Sequence, residues 1–123
     1  MPAIVHFEVV ADDLERARKF YEDLFSGEIK RPPVIAGYYS VESRDLNHER
    51  RIGAVMGKSE MPGRKITTYF GVRAIEDYTG QVELFGGKVV QPKVSVPGWG
   101  YFAIFLDAED NMFGLWQEDR NAN

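Results

Sequence analysis

The chain has 123 residues, a size typical of one domain, and 44% of them are hydrophobic while 28% are charged. This composition predicts a chain that folds on its own and excludes a disordered one. The 15 Lys and Arg and 19 Asp and Glu give a net charge of -4, and no stretch is basic enough to follow a phosphate backbone. Nucleic acid is therefore excluded as an expected partner.

Cysteine is absent, so disulfides, thiol catalysis and cysteine-ligated zinc are excluded as well. Residues 1–6 lack the basic and apolar regions of a signal peptide, and no window approaches the roughly 18 apolar residues of a membrane span. We expect a cytoplasmic protein with no membrane partner, folded as a single domain over residues 1–123. Aromatic residues are 13% of the chain, more ring surface than a small core obviously needs.

The first half of the chain predicts a strand, a helix and further strands. Residues 3–10 alternate apolar and polar and are rich in β-branched residues, which is typical of a strand. Asp12 and Glu15 match a capping-box pattern, and the apolar residues that follow recur at helical spacing until Gly27. Further strands are predicted at the end of this half, over 36–41 and 52–56.

The second half repeats this order. Strands are predicted over 66–72, from Lys88, over 100–105 and over 112–116, with a helix over 75–85 that Gly86 and Gly87 end. Gly53 aligns with Gly114, and Leu14 with Ile75, both at an offset of 61 residues. We predict an α+β fold of two βαβββ repeats, residues 3–58 and 65–118, joined by a turn-rich linker, residues 59–64.

Several motifs carry a resemblance to a known family. They are Val5–Val9, Asp12–Ala17, Phe20–Phe25, Phe85–Val90 and Phe113–Gln117. In this order they resemble the vicinal oxygen chelate superfamily, which includes glyoxalase I, extradiol dioxygenases and bleomycin-resistance proteins. The resemblance implies a curved mixed sheet around a cleft that both repeats line, helices on the outer face, a small-molecule ligand and a homodimer.

The resemblance also implies where a metal would bind, because enzymes of this superfamily hold a divalent ion with one residue on each of four strands. Those positions fall at His6, at Thr67 or Thr68, and at Gly53 and Gly114. Only His6 is a strong ligand, whereas a divalent ion needs three or four donors. We therefore expect no family metal and no other cofactor.

A replacement ligand from a loop stays open at this point. His48 and Glu49 lie in the charged run between two predicted strands. The alternative interpretation is that both are solvated surface residues.

Strand alternation assigns faces to the candidate catalytic residues. His6 and Glu8 share one face of the first strand, while Phe7 and Val9 share the other. If Phe7 and Val9 pack against helices, His6 and Glu8 face the cleft and are suited to acid and base chemistry. The alternative is that both are hydrogen-bonded wall residues without catalysis.

The aromatic residues divide between core and cleft. We predict that Phe20, Tyr21, Phe25 and Phe85, which follow helical stripes, are core. Gly53 and Gly114 either empty the cleft floor for a planar ligand or mark a close approach of strands. The predicted ligand-binding residues are Tyr39, Gly53, Thr67, Tyr69, Trp99, Tyr101, Gly114 and Trp116.

Two functions follow from this sequence. The first is a glyoxalase-like or bleomycin-resistance-like protein that binds a small aromatic or amphiphilic molecule in an aromatic-lined cleft without the family metal. The alternative is a lyase, isomerase or dioxygenase-type enzyme of the same superfamily that uses His6 and Glu8, with or without a recruited divalent metal.

Overall fold

Two helices and seven strands occupy the part of the chain that the computed structural model describes, residues 1–25, 29, 38–41, 46–49, 53–58 and 66–123. In chain order they are β1 (Ile4–Ala11), α1 (Leu14–Phe25), β2 (Tyr38–Val41), β3 (Gly53–Lys58), β4 (Ile66–Gly71), α2 (Glu76–Leu84), β5 (Lys88–Val96), β6 (Gly100–Leu106) and β7 (Met112–Glu118). The predicted α+β class is confirmed. The predicted linker, residues 59–64, and the predicted helix end at Gly27 lie outside the described residues.

The chain divides into two compact units. The α2 unit contains Met1–His6 and Thr68–Asn123, and the α1 unit contains Phe7–Thr67. The boundaries fall inside β1 and β4, so each of these strands contributes residues to both units.

The α2 unit is built on an open, curved mixed sheet of five strands in the order β1-β4-β7-β6-β5. β4 runs parallel to β7, whereas β5, β6 and β7 form an antiparallel meander. The Gly71 N–H donates a hydrogen bond of 3.0 Å to the Ala3 carbonyl, which joins the start of β1 to the end of β4. These strands place the first and last parts of the chain side by side.

Helix α2 covers one face of this sheet and forms the hydrophobic core with it. Ile75, Ala103, Phe105 and Leu115 are buried there, and Phe105 is fully excluded from solvent. The Phe105 ring stacks on Phe113 with 5.4 Å between centroids. Burial of such side chains is the main favourable term in folding.

Glycines terminate α2 as the sequence predicts. Gly86 adopts a left-handed φ of 95°, and the Gly87 N–H donates to the Val82 carbonyl at 2.8 Å. This is the hydrogen-bond pattern of a Schellman motif. A Cβ on Gly87 would lie 2.5 Å from the Leu106 carbonyl oxygen, so a side chain there would collide with β6.

The α1 unit pairs β2 with β3 antiparallel and places β1 next to β3. Asp13 caps α1, because its Oδ1 accepts a 3.1 Å hydrogen bond from the Arg16 N–H. The predicted cap at Asp12 is thus wrong by one residue. Neither of the two described helices is long and apolar enough to cross a membrane.

The predicted core role of the α1 aromatics is wrong. Phe20, Tyr21 and Phe25 are all exposed, and α1 buries none of its residues. The less exposed side of α1 is of mixed polarity, with Leu14 and Ala17 half-buried. The Tyr39 hydroxyl donates to Glu15, and the Arg18 guanidinium lies 5.6 Å above the Tyr39 ring. Phe85, the fourth predicted core aromatic, is 73% exposed at the end of α2.

Candidate functional site

The face of the α2-unit sheet that lies opposite α2 carries a group of rings. Phe70, Phe113 and Leu115 point toward the helix and its core. Because strand residues alternate, their neighbours point to the other face. We call four residues on that side the ring face, and they are His6 of β1, Tyr69 of β4, Phe102 of β6 and Gly114 of β7.

Tyr69 is the central residue of the ring face. Its ring centroid lies 5.3 Å from that of His6, with 62° between the planes, and 6.5 Å from that of Phe102, with 83° between the planes. Both pairs are edge-to-face, the geometry that aromatic quadrupoles prefer. Tyr69 is only 4% exposed, so these contacts hold the ring in one place.

Gly114 makes room for this ring. Tyr69 and Gly114 are register partners in the parallel β4–β7 pair. A Cβ on Gly114 would overlap Cδ1 and Cε1 of Tyr69. Of the two interpretations of Gly114, the geometry supports the close approach, because the Tyr69 ring fills the space beside this glycine.

His6 is half-buried beside Tyr69. Burial removes water from the imidazole and lowers its pKa below the usual value of about 6.5. The ring is therefore neutral at pH 7, with one nitrogen available as a hydrogen-bond or proton acceptor.

This lowered pKa predicts a pH-dependent stability. Between the folded-state pKa of His6 and about 6.5, the unfolded chain binds more protons than the folded chain, so stability rises with pH through this window and is lost as pH falls. We expect His6→Gln to remove part of the loss between pH 7 and pH 5. Urea unfolding at both pH values measures it, and an undiminished loss in His6→Gln would contradict the assignment.

The family metal does not fit the donors at the corresponding positions. Gly53 and Gly114 offer no side chain, and the space beside Gly114 is filled by the Tyr69 ring. Thr67 is a buried hydroxyl residue. Within the described ranges, no three His, Asp or Glu residues come together as a metal site. His48 and Glu49, the loop alternatives, are exposed.

The structure separates Tyr101 from the ring face and places Trp116 on the same side as the ring face. Tyr101 packs against the hydrophobic core on the helix side, with the Lys93 Nζ 4.2 Å from its ring centroid. Trp99 is 54% exposed in the turn before β6. Trp116 shares its face with Gly114 by alternation and pairs in register with Phe102.

Four other predicted residues belong to the α1 unit. These are Glu8, Tyr39, Gly53 and Thr67. Tyr39 is 6% exposed and its hydroxyl is bonded to α1, while Glu8 and Gly53 are half-buried.

Phe102 is the ring-face residue that the predicted site omits. Strand alternation in the sequence could have identified Phe102. Because Ala103 and Phe105 face the core, Phe102 must face away from it. The sequence predicts Tyr101 as a site residue, whereas this alternation places Tyr101 on the core side.

Comparison with known proteins agrees with the fold. A family model for the Glyoxalase/Bleomycin resistance protein/Dioxygenase superfamily matches residues 3–116. The chain belongs to this superfamily, as the sequence resemblance predicts. No curated protein sequence matches the chain significantly.

Solved structures resemble the chain at low sequence identity. A Streptomyces coelicolor methylmalonyl-CoA epimerase variant in complex with 2-nitronate-propionyl-CoA has a TM-score of 0.66 and 12% identity, with 100% of this chain and 99% of that chain covered. A glyoxalase/bleomycin resistance protein/dioxygenase superfamily member from Vibrio splendidus 12B01 has a TM-score of 0.61 and 16% identity, with 96% and 100% covered. At these identities the similarity shows the fold alone.

Proposed function

We propose that the chain binds a small aromatic or amphiphilic molecule against the ring face, without the family metal. The observation that supports this most is the edge-to-face array of His6, Tyr69 and Phe102 on one sheet face. Aromatic walls with a few polar groups are typical of small-molecule sites. A planar ligand would gain contact area from the half-buried Phe102 ring, which the buried Tyr69 supports, and orientation from the neutral His6 imidazole.

The wider site of this proposal includes two tryptophans of the α2 unit. Trp116 would extend the wall beside Phe102, and Trp99 would cover the ligand from its turn. Tyr39, Gly53 and Thr67 stay predicted ligand-binding residues of the α1 unit, and we propose that the protein is a homodimer located in the cytoplasm. The epimerase relative, solved with a CoA derivative, is consistent with small-molecule binding in this fold.

A ligand titration in the presence of EDTA tests this function. We expect 2-naphthoate, chosen as a planar amphiphilic probe, to raise the melting temperature, because a ligand at 100 times its Kd stabilises the folded state by about 2.7 kcal/mol. Phe102→Leu should weaken binding, while Tyr101→Leu, one residue away on the core side, should not. A melting temperature that rises only when Zn²⁺ or Mn²⁺ is added would contradict metal-free binding.

A second candidate function is an enzyme that uses His6 and Glu8. It is favoured by one observation, the burial that keeps the His6 imidazole neutral and able to accept a proton at pH 7. In this case His6 would remove a proton next to a carbonyl, and Glu8 would act as the partner acid. Turnover of a carbonyl substrate by the untreated protein, abolished by His6→Ala, would distinguish this function from binding alone.

A further inference from the structure

A groove on the α2 unit lies away from the ring face, between the end of α2 and the β6–β7 turn. Its volume is about 240 Å³. Six of its lining residues matter for its chemistry, and they are Tyr78, Val82, Phe85, Asp107, Ala108 and Phe113. None of them belongs to the ring face or to the predicted site.

Three aromatic rings give the groove its walls. Phe113 is fixed by Phe105, stacked at 5.4 Å, and by Phe70, edge-to-face at 6.3 Å between centroids. Tyr78 is held against the core from α2. Phe85, by contrast, is 73% exposed, so its ring meets solvent at the mouth. Aromatic ring faces carry the negative part of the quadrupole and attract cations.

The charged groups near the groove are negative, like the faces of its aromatic rings. The C-terminal end of a helix carries a partial negative charge, and the last turn of α2 contains no basic residue. Among the described residues that line the groove there is no Lys or Arg, whereas the Asp107 carboxylate is present. The Asn111 and Glu109 backbone N–H groups donate to this carboxylate and hold its pKa below the usual value, so it is ionised at neutral pH.

The nearest basic residue along the chain does not neutralise this charge. Val89 packs toward the core beneath α2, so its neighbour Lys88 points to the opposite face of the sheet. The groove therefore combines apolar walls, three rings and one carboxylate, with no basic residue among its described lining residues.

We propose that this groove is a second binding site, which takes a small organic cation with an aromatic or alkyl body, such as a substituted ammonium. The apolar body would lie against Val82 and Ala108, and the cationic head would face the rings and the Asp107 side. The volume limits the ligand to a fragment-sized molecule, below the usual range of drug-sized sites.

An NMR titration of the full chain with benzyltrimethylammonium tests this proposal. We expect saturable shifts of the Gly87 and Ala108 amides, and no such shifts with benzenesulfonate, which has the same ring and the opposite charge. The ring face lies elsewhere, so the 2-naphthoate experiment can fail without affecting this result. No shifts, shifts confined to other residues, or equal shifts with both compounds would overturn the proposal.

Matched variants locate the site. Phe85→Ala should raise the Kd about threefold to fivefold, as expected for one cation–π contact. Leu84→Ala removes a similarly exposed side chain, 78% accessible, that does not line the groove, and should leave the Kd unchanged. Equal effects of the two variants would overturn the assignment.

A charge variant and a test of self-association complete the experiment. Asp107→Asn keeps an oxygen for the two backbone hydrogen bonds of the turn, loses the acceptor of the Asn111 side-chain hydrogen bond and removes the charge, and should also weaken binding. If this variant fails to fold, the Kd values of Phe85→Ala and Leu84→Ala still show whether the groove binds the cation. If Phe85→Ala instead dissociates a dimer in sedimentation, a second copy of the chain covers the groove and the small-cation site is overturned.

Discussion

Replacing Gly114 with alanine will destabilise the protein by about 1–3 kcal/mol, the usual cost of inserting a methyl group into a packed site. The new Cβ would overlap the Tyr69 ring, which must move away from β7. We expect the displaced ring to admit water to His6 and to raise the His6 pKa toward 6.5. Urea unfolding measures the first effect, and an NMR titration of the imidazole measures the second.

Two controls accompany this variant. Gly80→Ala adds the same methyl group in α2, where nothing lies within 4 Å, and should stabilise the protein by about 0.5–1 kcal/mol through helix propensity. In a Tyr69→Ala background, Gly114→Ala should cost much less, because the methyl group meets no ring. An equal cost in both backgrounds would show that the Tyr69 ring is not what Gly114 accommodates.

Replacing Phe105 with alanine will have the largest effect on stability, about 3–5 kcal/mol, because a fully buried ring is removed and a cavity is left. Phe105 is 0% exposed and stacks on Phe113, so neighbouring side chains cannot all move to fill the space. The free energy of unfolding in urea, or failure to accumulate folded protein, gives the result.

Phe85→Ala is the matched control, since it removes the same ring from an exposed position. We expect a change within about 0.5 kcal/mol, as for most surface substitutions. A cost for Phe85→Ala close to that of Phe105→Ala would mean that the exposed ring is covered in solution.

Local patterns predicted much of the α2 unit. The end of α2 was predictable because Gly86 and Gly87 have a specific backbone role, and the apolar stripe through Tyr78 and Val82 does pack against the core. The stripe on α1 was misleading, because helical periodicity identifies an apolar face but does not say what covers it. There, Glu15 and Arg18 make polar contacts with Tyr39 of β2, while Phe20, Tyr21 and Phe25 stay exposed.

The ring face was predictable only in part. His6 is predictable from strand alternation and from the family resemblance. Gly114 is predictable because a glycine within a strand indicates a close approach or a bulge. Which group approaches depends on register, and the parallel pairing of Tyr69 with Gly114 joins strands that are distant in sequence. Whether Tyr101 or Phe102 belongs to the ring face depends on which face of β6 packs against the core.

The pairing of β1 with β4 has a consequence for chain entropy. The hydrogen bond from Gly71 to Ala3 closes a long loop, whereas β5, β6 and β7 are joined by short turns. Closing a loop costs more entropy as it lengthens, by about 0.6 kcal/mol for each doubling. His6 contacts Tyr69 only when β1 pairs with β4 and this long loop is closed. The ring face therefore depends on the strand pairing that costs the most chain entropy in its unit.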